Sequence, residues 1–186
     1  MNHSNHSLSL KIADWHNRLA NATYNKFGQQ LKFYFDSLEG NRQVMALIEE
    51  IVNQYPFDDN NLENAMSGLV SGEENWFETE QQQASFSYQF LRYLFKKLDD
   101  YNLVHYTIFN GNRFEDKINT IISEYISPIS HYLLDRLEKT NSILYLLEKY
   151  KRRVEWFKAK EIQVRYDEAQ KSYEQMLEDD LRLFLF

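Results

Sequence analysis

The chain has no cysteine, and only 2 prolines and 5 glycines occur among its 186 residues. The absence of cysteine excludes a disulfide framework and any thiolate chemistry, and it fits a reducing compartment. Proline and glycine are the residues that most often interrupt helices, so their scarcity favours long helices.

Long apolar runs are also missing. No stretch approaches the roughly 18 apolar residues that a membrane-spanning helix requires. Residues 1–7 are polar and do not resemble the apolar centre of a signal peptide. We therefore expect a cytoplasmic protein without membrane contacts.

Positively charged residues are fewer than negatively charged ones, and the formal net charge is −7. An acidic surface repels the phosphate backbone, which disfavours a general nucleic-acid binder and still allows a local basic patch.

Apolar residues are plentiful: 43% of the chain is hydrophobic and 16% is aromatic, which is enough to build a core. They recur at helical spacing, as in Leu8, Ile12, Trp15 and Leu19. We predict an all-α fold, a multi-helix bundle with a long C-terminal helical arm. Its predicted parts are a flexible tail (1–7), a helical body (8–139) and an arm (140–186) that leads to a further domain outside this chain.

Several helix boundaries in the body are predicted from local residues. Asn41 can cap a helix that begins at Arg42, and Pro56 ends it. Gly28 marks a candidate break in the preceding helix. The most apolar helix spans Phe86–Leu98 and is expected to be central, because a helix that is apolar on most sides is a buried one.

The stretch Ser127–Phe157 is the most strongly patterned part of the chain. Ser127 followed by Pro128 is typical of a helix N-cap and first helical position, so the preceding helix is expected to stop there. Residues 140–142 (Thr-Asn-Ser) form helices poorly and predict a break. Between Phe157 and Ile162 the apolar spacing changes, which predicts a bend or two halves with different neighbours. The arm is expected to pair with another helix, either in the same chain or in another copy.

The sequence shows no recognisable catalytic pattern. It has no Gly-rich phosphate loop, no nucleophile elbow and no Glu-x-x-His motif. Its histidines are scattered, and no Arg precedes a His by four to six residues, as it does in helical ribonuclease toxins. We predict no catalytic, cofactor-binding or metal-binding residue and no enzyme activity within this chain, although a nuclease activity in a further C-terminal domain stays open.

One dense basic cluster occurs, near the end of the patterned stretch. As a solvated helix face it would pair with neighbouring glutamates. As a binding surface it would contact nucleic acid or a protein partner, with the adjacent tryptophan as an anchor. The candidate contact residues are Lys149, Lys151, Arg152, Arg153, Trp156, Lys158 and Lys160.

A family resemblance rests on Tyr132-Leu133, Asp135-Arg136-Leu137, Ile143–Glu148 and Tyr150–Phe157. With these residues, Ile129–Phe157 resembles the helical N-terminal part of large bacterial effector proteins of the anti-phage defence type. Those proteins carry a restriction-type nuclease domain downstream, and the ending Leu177–Phe186 resembles the lead-in to it. The match covers about a third of the chain and includes no catalytic motif.

These observations favour a non-catalytic helical module that acts by protein–protein contact, in oligomerisation, sensing or regulation. A protein partner or self-association is expected. The alternative is a module that contacts nucleic acid through Lys149–Arg153.

Overall fold

A computed structural model describes the backbone of residues 3–71, 77–106, 109, 111–159 and 163–185. Within these ranges the regular structure is helical and no strand occurs, which confirms the predicted all-α fold. No helix in the described ranges combines the length and apolar character needed to cross a bilayer.

The described helices are, in chain order, α1 His3–Ala20, α2 Tyr24–Glu39, α3 Arg42–Gln54, α4 Asp59–Ser71, α5 Glu80–Leu98, a 3₁₀ turn Leu103–His105, α6 Phe114–Thr120, a π-helical turn Ile121–Ile126, α7 Ser127–Ala159 and α8 Gln163–Leu185. Residues 3–7, predicted as a flexible tail, belong to α1. The chain divides into two compact units, Ser9–Asp135 on the one hand and Met1–Leu8 with Arg136–Phe186 on the other.

Helix α5 lies at the centre of the Ser9–Asp135 unit, as its apolar pattern predicts. It contacts α3, α4 and the π-helical turn. Phe90 of α5 is fully buried, and its ring stacks on Phe86 and on Tyr125 of the π-helical turn. The core of this unit is therefore built around one aromatic-rich helix.

Both ends of α3 are held by polar groups. At its start the Asn41 side chain accepts hydrogen bonds from the backbone N–H groups of Gln43 and Val44, as predicted for an N-cap. At its end Ser85 and Gln89 of α5 donate to the Tyr55 carbonyl, at 2.8 and 3.0 Å. These two polar residues of the central helix therefore satisfy a carbonyl that the end of α3 leaves without a helical partner.

Gly28 does not break a helix, contrary to the prediction. It lies buried inside α2, and a Cβ atom there would overlap the side-chain oxygen of Asn102. Glycine at this position lets the connector after α5 approach the α2 backbone closely.

The predicted helix start at Ser127 is wrong, because Ser127 has helical dihedral angles (φ −61, ψ −45) and continues the preceding π-helical turn. Pro128 lacks the N–H that an α-helix would direct at the carbonyl of Glu124. The hydroxyl of Ser87 in α5 donates to that carbonyl at 3.4 Å. Proline is tolerated here because a different part of the chain contacts the carbonyl and because the π-helical turn changes the local hydrogen-bond register.

The predicted break at residues 140–142 is absent, since α7 runs without interruption from Ser127 to Ala159. Thr140 donates its hydroxyl proton to the carbonyl of Arg136, four residues earlier, at 2.8 Å. A hydroxyl that bonds back to its own helix no longer competes with helix formation.

Helices α7 and α8 form an antiparallel hairpin. In one straight helix Tyr150 and Tyr173 would be about 35 Å apart, but their ring centroids are separated by 6.0 Å. Tyr150 is buried, and its hydroxyl donates to Asp180 at 2.9 Å. The chain therefore reverses direction between α7 and α8, and Tyr150 and Tyr173 of the predicted apolar seam pair within the same chain. We call the described part of this element, residues 136–159 and 163–185, the hairpin.

Candidate interaction surface

The hairpin exposes several large apolar side chains. On α7 the exposed fractions are 38% for Leu144, 64% for Tyr145 and 41% for Leu147, and on α8 Met176 is 49% exposed. Isolated exposed apolar residues are ordinary, but a group of them on one short element is typical of an interaction site. These exposed areas remain accessible after α7 and α8 have paired through Tyr150 and Tyr173.

Three predicted contact residues, Lys149, Lys151 and Arg152, have described side chains, and all three are exposed. Arg152 forms an ion pair with Glu148 at 2.6 Å, one helical turn earlier. The hydrogen bond from the Arg152 guanidinium lowers the pKa of the Glu148 carboxyl. Lys149 and Lys151 form no ion pair with any residue whose side chain the structure describes.

Lys149 and Lys151 do not share one surface. Successive residues of an α-helix are rotated by about 100° about its axis, so side chains two positions apart are separated by about 200°. The two ammonium groups therefore emerge on different sides of α7. The basic cluster that is contiguous in the sequence is divided by the helix.

The remaining predicted contact residues cannot be placed on this surface. Lys160 lies outside the described residues. Arg153, Trp156 and Lys158 belong to α7 by their backbone, but their side chains lie outside the description. Their role in binding stays a prediction.

One side of the hairpin combines apolar and oppositely charged residues. Leu144, Leu147 and Lys151 follow at i, i+3 and i+7, so they form one stripe on α7. Glu174 and Glu178, both exposed, form a stripe on α8 at i, i+4. On each helix, the stripe lies in the same rotational direction from the residue that contacts the other helix, which is Tyr150 on α7 and Tyr173 on α8. Because the two helices run antiparallel, both stripes lie on the same side of the hairpin. We call this side the stripe face (Leu144, Leu147, Lys151, Glu174 and Glu178).

The Ser9–Asp135 unit contains a second polar feature, a network that joins α1, α2 and the start of α7. The hydroxyl of Ser130 lies 2.7 Å from the Tyr34 hydroxyl and 3.1 Å from Nδ1 of His16. A serine beside a histidine is one element of a nucleophile–base pair. Ser130 is only 1% exposed, however, and Tyr34 is fully buried. The network therefore serves to satisfy buried hydroxyls and to connect three helices.

Sequence reasoning missed this network, because Ser130 is 114 residues from His16 and 96 from Tyr34. One signal was available. Ser130 directly follows Ile129 on the predicted core face of its helix, and a polar residue beside core positions requires a hydrogen-bond partner.

His16 is expected to make folding sensitive to pH. Partial burial lowers its pKa below the ordinary value of 6.5, and the nearby His131, whose ring lies 6.5 Å away, lowers it further. The unfolded chain therefore binds a proton more readily than the folded one. The free energy of unfolding should be constant above about pH 6.5 and should fall as the pH drops from 6.5 toward the lowered pKa.

The measurement is urea unfolding of the wild type and His16→Gln between pH 7.5 and 5. Glutamine keeps a hydrogen-bonding group near Ser130 and cannot titrate, so its pH dependence over this range should be smaller. An NMR titration in which His16 protonates at or above pH 6.5 would contradict the assignment.

Comparisons with protein-family models, curated proteins and solved structures gave no significant match. The resemblance of Ile129–Phe157 to the N-terminal region of nuclease-carrying effectors therefore stays a prediction.

Proposed function

We propose that this chain is a helical protein-interaction module and that the hairpin is its binding element. The observation that carries the proposal is the exposure of Leu144 and Leu147, which lie one turn apart on α7. Fully burying an exposed leucine side chain contributes about 1.5–3 kcal/mol, so covering these partly exposed leucines contributes about 1 kcal/mol each. Together they supply an apolar centre for an interface, whereas Tyr145, two positions from Leu147, lies on another side of the helix.

The charged residues around these apolar side chains suit the rim of such an interface. Binding interfaces place apolar and aromatic groups at the centre and charges at the edge. Lys151 lies on the same stripe as Leu144 and Leu147, and the Arg152–Glu148 pair is exposed beside them. This arrangement favours a partner that carries acidic groups near an apolar patch.

The nucleic-acid alternative has less support. Lys149 and Lys151 emerge on different sides of α7, and the charge of Arg152 is balanced by Glu148. A backbone-binding surface requires several cations along one face.

In the setting that the family resemblance implies, the module would regulate or assemble an effector domain carried by the same protein. The full-length reading frame tests that setting.

Site-specific photo-crosslinking tests the binding element. A photoreactive phenylalanine analogue placed at Leu147 is expected to give discrete protein adducts in cells. The matched control carries the same group at Gln29, an exposed position of α2, and should give none. Combining the probe with Leu144→Ser should sharply reduce the adducts while helix content, measured by circular dichroism, is unchanged. An absence of adducts at 147, or the same pattern at both positions, would refute the proposal.

A further inference from the structure

We infer that the partner of the hairpin is a second copy of this chain, with α7 of each copy lying against α8 of the other. This inference rests on the proposed function and specifies its partner. It follows from the stripe face, which carries apolar and cationic residues on one helix and anionic residues on the other.

The stripe face is complementary to itself. Its α7 half presents Leu144, Leu147 and Lys151, and its α8 half presents Glu174 and Glu178. Lys151 forms no ion pair with a described side chain, and Glu148, the carboxylate on which its charge acts, is already paired with Arg152. In a two-fold dimer each copy uses the same surface. A surface that carries both positive and negative residues can therefore pair each of them with an opposite charge on the other copy.

Charge decides between the two symmetric ways in which the faces can meet. A two-fold axis across the helices would place α7 on α7 and α8 on α8, so that Glu174 and Glu178 of one copy would face those of the other. An axis parallel to the helices places α7 of one copy on α8 of the other, so that Lys151 faces glutamates. The second arrangement is an antiparallel four-helix bundle, a common way of covering an apolar helix face.

The heights of the charged residues also agree with this axis. Tyr150 and Tyr173 are in contact, and Lys151 and Glu174 each follow one of them by a single residue. Because the helices run antiparallel, these steps lead in opposite directions, and Lys151 and Glu174 lie within about 3 Å of the same level. A rotation about an axis parallel to the helices preserves those levels. Lys151 of one copy therefore meets Glu174 of the other, and the two pairs formed in this way lie about one turn from Leu147 and two turns from Leu144.

Charge reversal in the full 186-residue chain tests the inference, with the oligomeric state measured by analytical ultracentrifugation. The wild type should be a dimer. Lys151→Glu and Glu174→Lys should each weaken it at least about tenfold, because each creates two like-charge contacts. The controls are Lys149→Glu and Asp179→Lys, which make the same charge changes on other sides of α7 and α8 and should leave the dimer intact.

An equimolar mixture of the Lys151→Glu and Glu174→Lys chains is the decisive sample. In the mixed dimer, each of the two contacts across the proposed interface joins opposite charges. Dimerisation should therefore recover to near the wild-type level. If Lys151 and Glu174 instead interact within one hairpin, only a chain with both substitutions recovers and the mixture does not, which overturns the inference. A wild type that is monomeric at all concentrations overturns it too.

The outcomes separate this inference from the proposed function. A monomer whose position 147 crosslinks to a different protein refutes the second copy and retains the interaction module. A monomer without any adduct at position 147 refutes both. A dimer that survives all charge reversals refutes the proposed stripe-face contact, whatever position 147 crosslinks to.

Discussion

Replacing Phe35 by alanine is expected to lower the free energy of unfolding by about 3–5 kcal/mol. Phe35 is fully buried in α2, and its ring contacts Tyr34, Tyr88 and Phe95, the last at 4.8 Å between centroids. Alanine removes these contacts and leaves a cavity that the rigid aromatic neighbours cannot fill. A loss of this size is a large fraction of the total stability of a typical domain.

The matched control lies two residues earlier on the same helix. Phe33 is 41% exposed, and its described aromatic contact is with the Arg18 guanidinium, 5.9 Å from the ring centroid. Phe33→Ala makes the same chemical change on the opposite face of α2 and should cost less than about 1 kcal/mol. Urea unfolding of both variants provides the comparison. Equal losses would show that the two phenylalanines do not lie on different faces of α2.

Replacing Tyr150 by alanine is expected to open the hairpin. The substitution removes the contact with Tyr173 and the hydrogen bond to Asp180. We expect a local loss of about 2–4 kcal/mol, which corresponds to faster amide exchange in α8 by about 30- to 1000-fold. Amides in α5 should be unaffected, because α5 belongs to the other compact unit. Hydrogen–deuterium exchange followed by mass spectrometry resolves the two regions.

Two further variants show which property of Tyr150 matters. Tyr150→Phe keeps the ring and loses only the hydroxyl, so exchange in α8 should rise by about tenfold or less. Tyr145→Ala removes a tyrosine that is 64% exposed on the same helix. It should leave exchange unchanged. If Tyr145→Ala opened α8 as strongly as Tyr150→Ala, the buried contact of Tyr150 would not be what holds the hairpin closed.

Both boundaries of α3 were predicted correctly from local residues. Asn41 caps α3 because an asparagine side chain reaches the N–H groups of the next turn, whatever the rest of the chain does. The helix also ends before Pro56, since the residue before proline is sterically excluded from the helical region. Both effects act over a few residues, so a single sequence is enough to reveal them.

The candidate site was predicted only in part. The sequence drew attention to Lys149, Lys151 and Arg152, and all three are exposed on α7. It did not distinguish Lys151, which shares a stripe with Leu144 and Leu147, from Lys149 on another side. It also did not place Glu174 and Glu178 beside that stripe, because their position depends on the reversal of the chain between α7 and α8.

By itself, the sequence determined the all-α class and most of its helices, because apolar spacing and the shortage of proline and glycine act along a single helix. Tertiary structure decided how those helices are joined and paired. Pro128 lies inside a continuous helical segment because the hydroxyl of Ser87, far away in the chain, donates to the carbonyl of Glu124. Tyr150 pairs with Tyr173 because α8 folds back on α7. In both cases the deciding partner is distant in sequence, and only the folded chain brings it within a few ångströms.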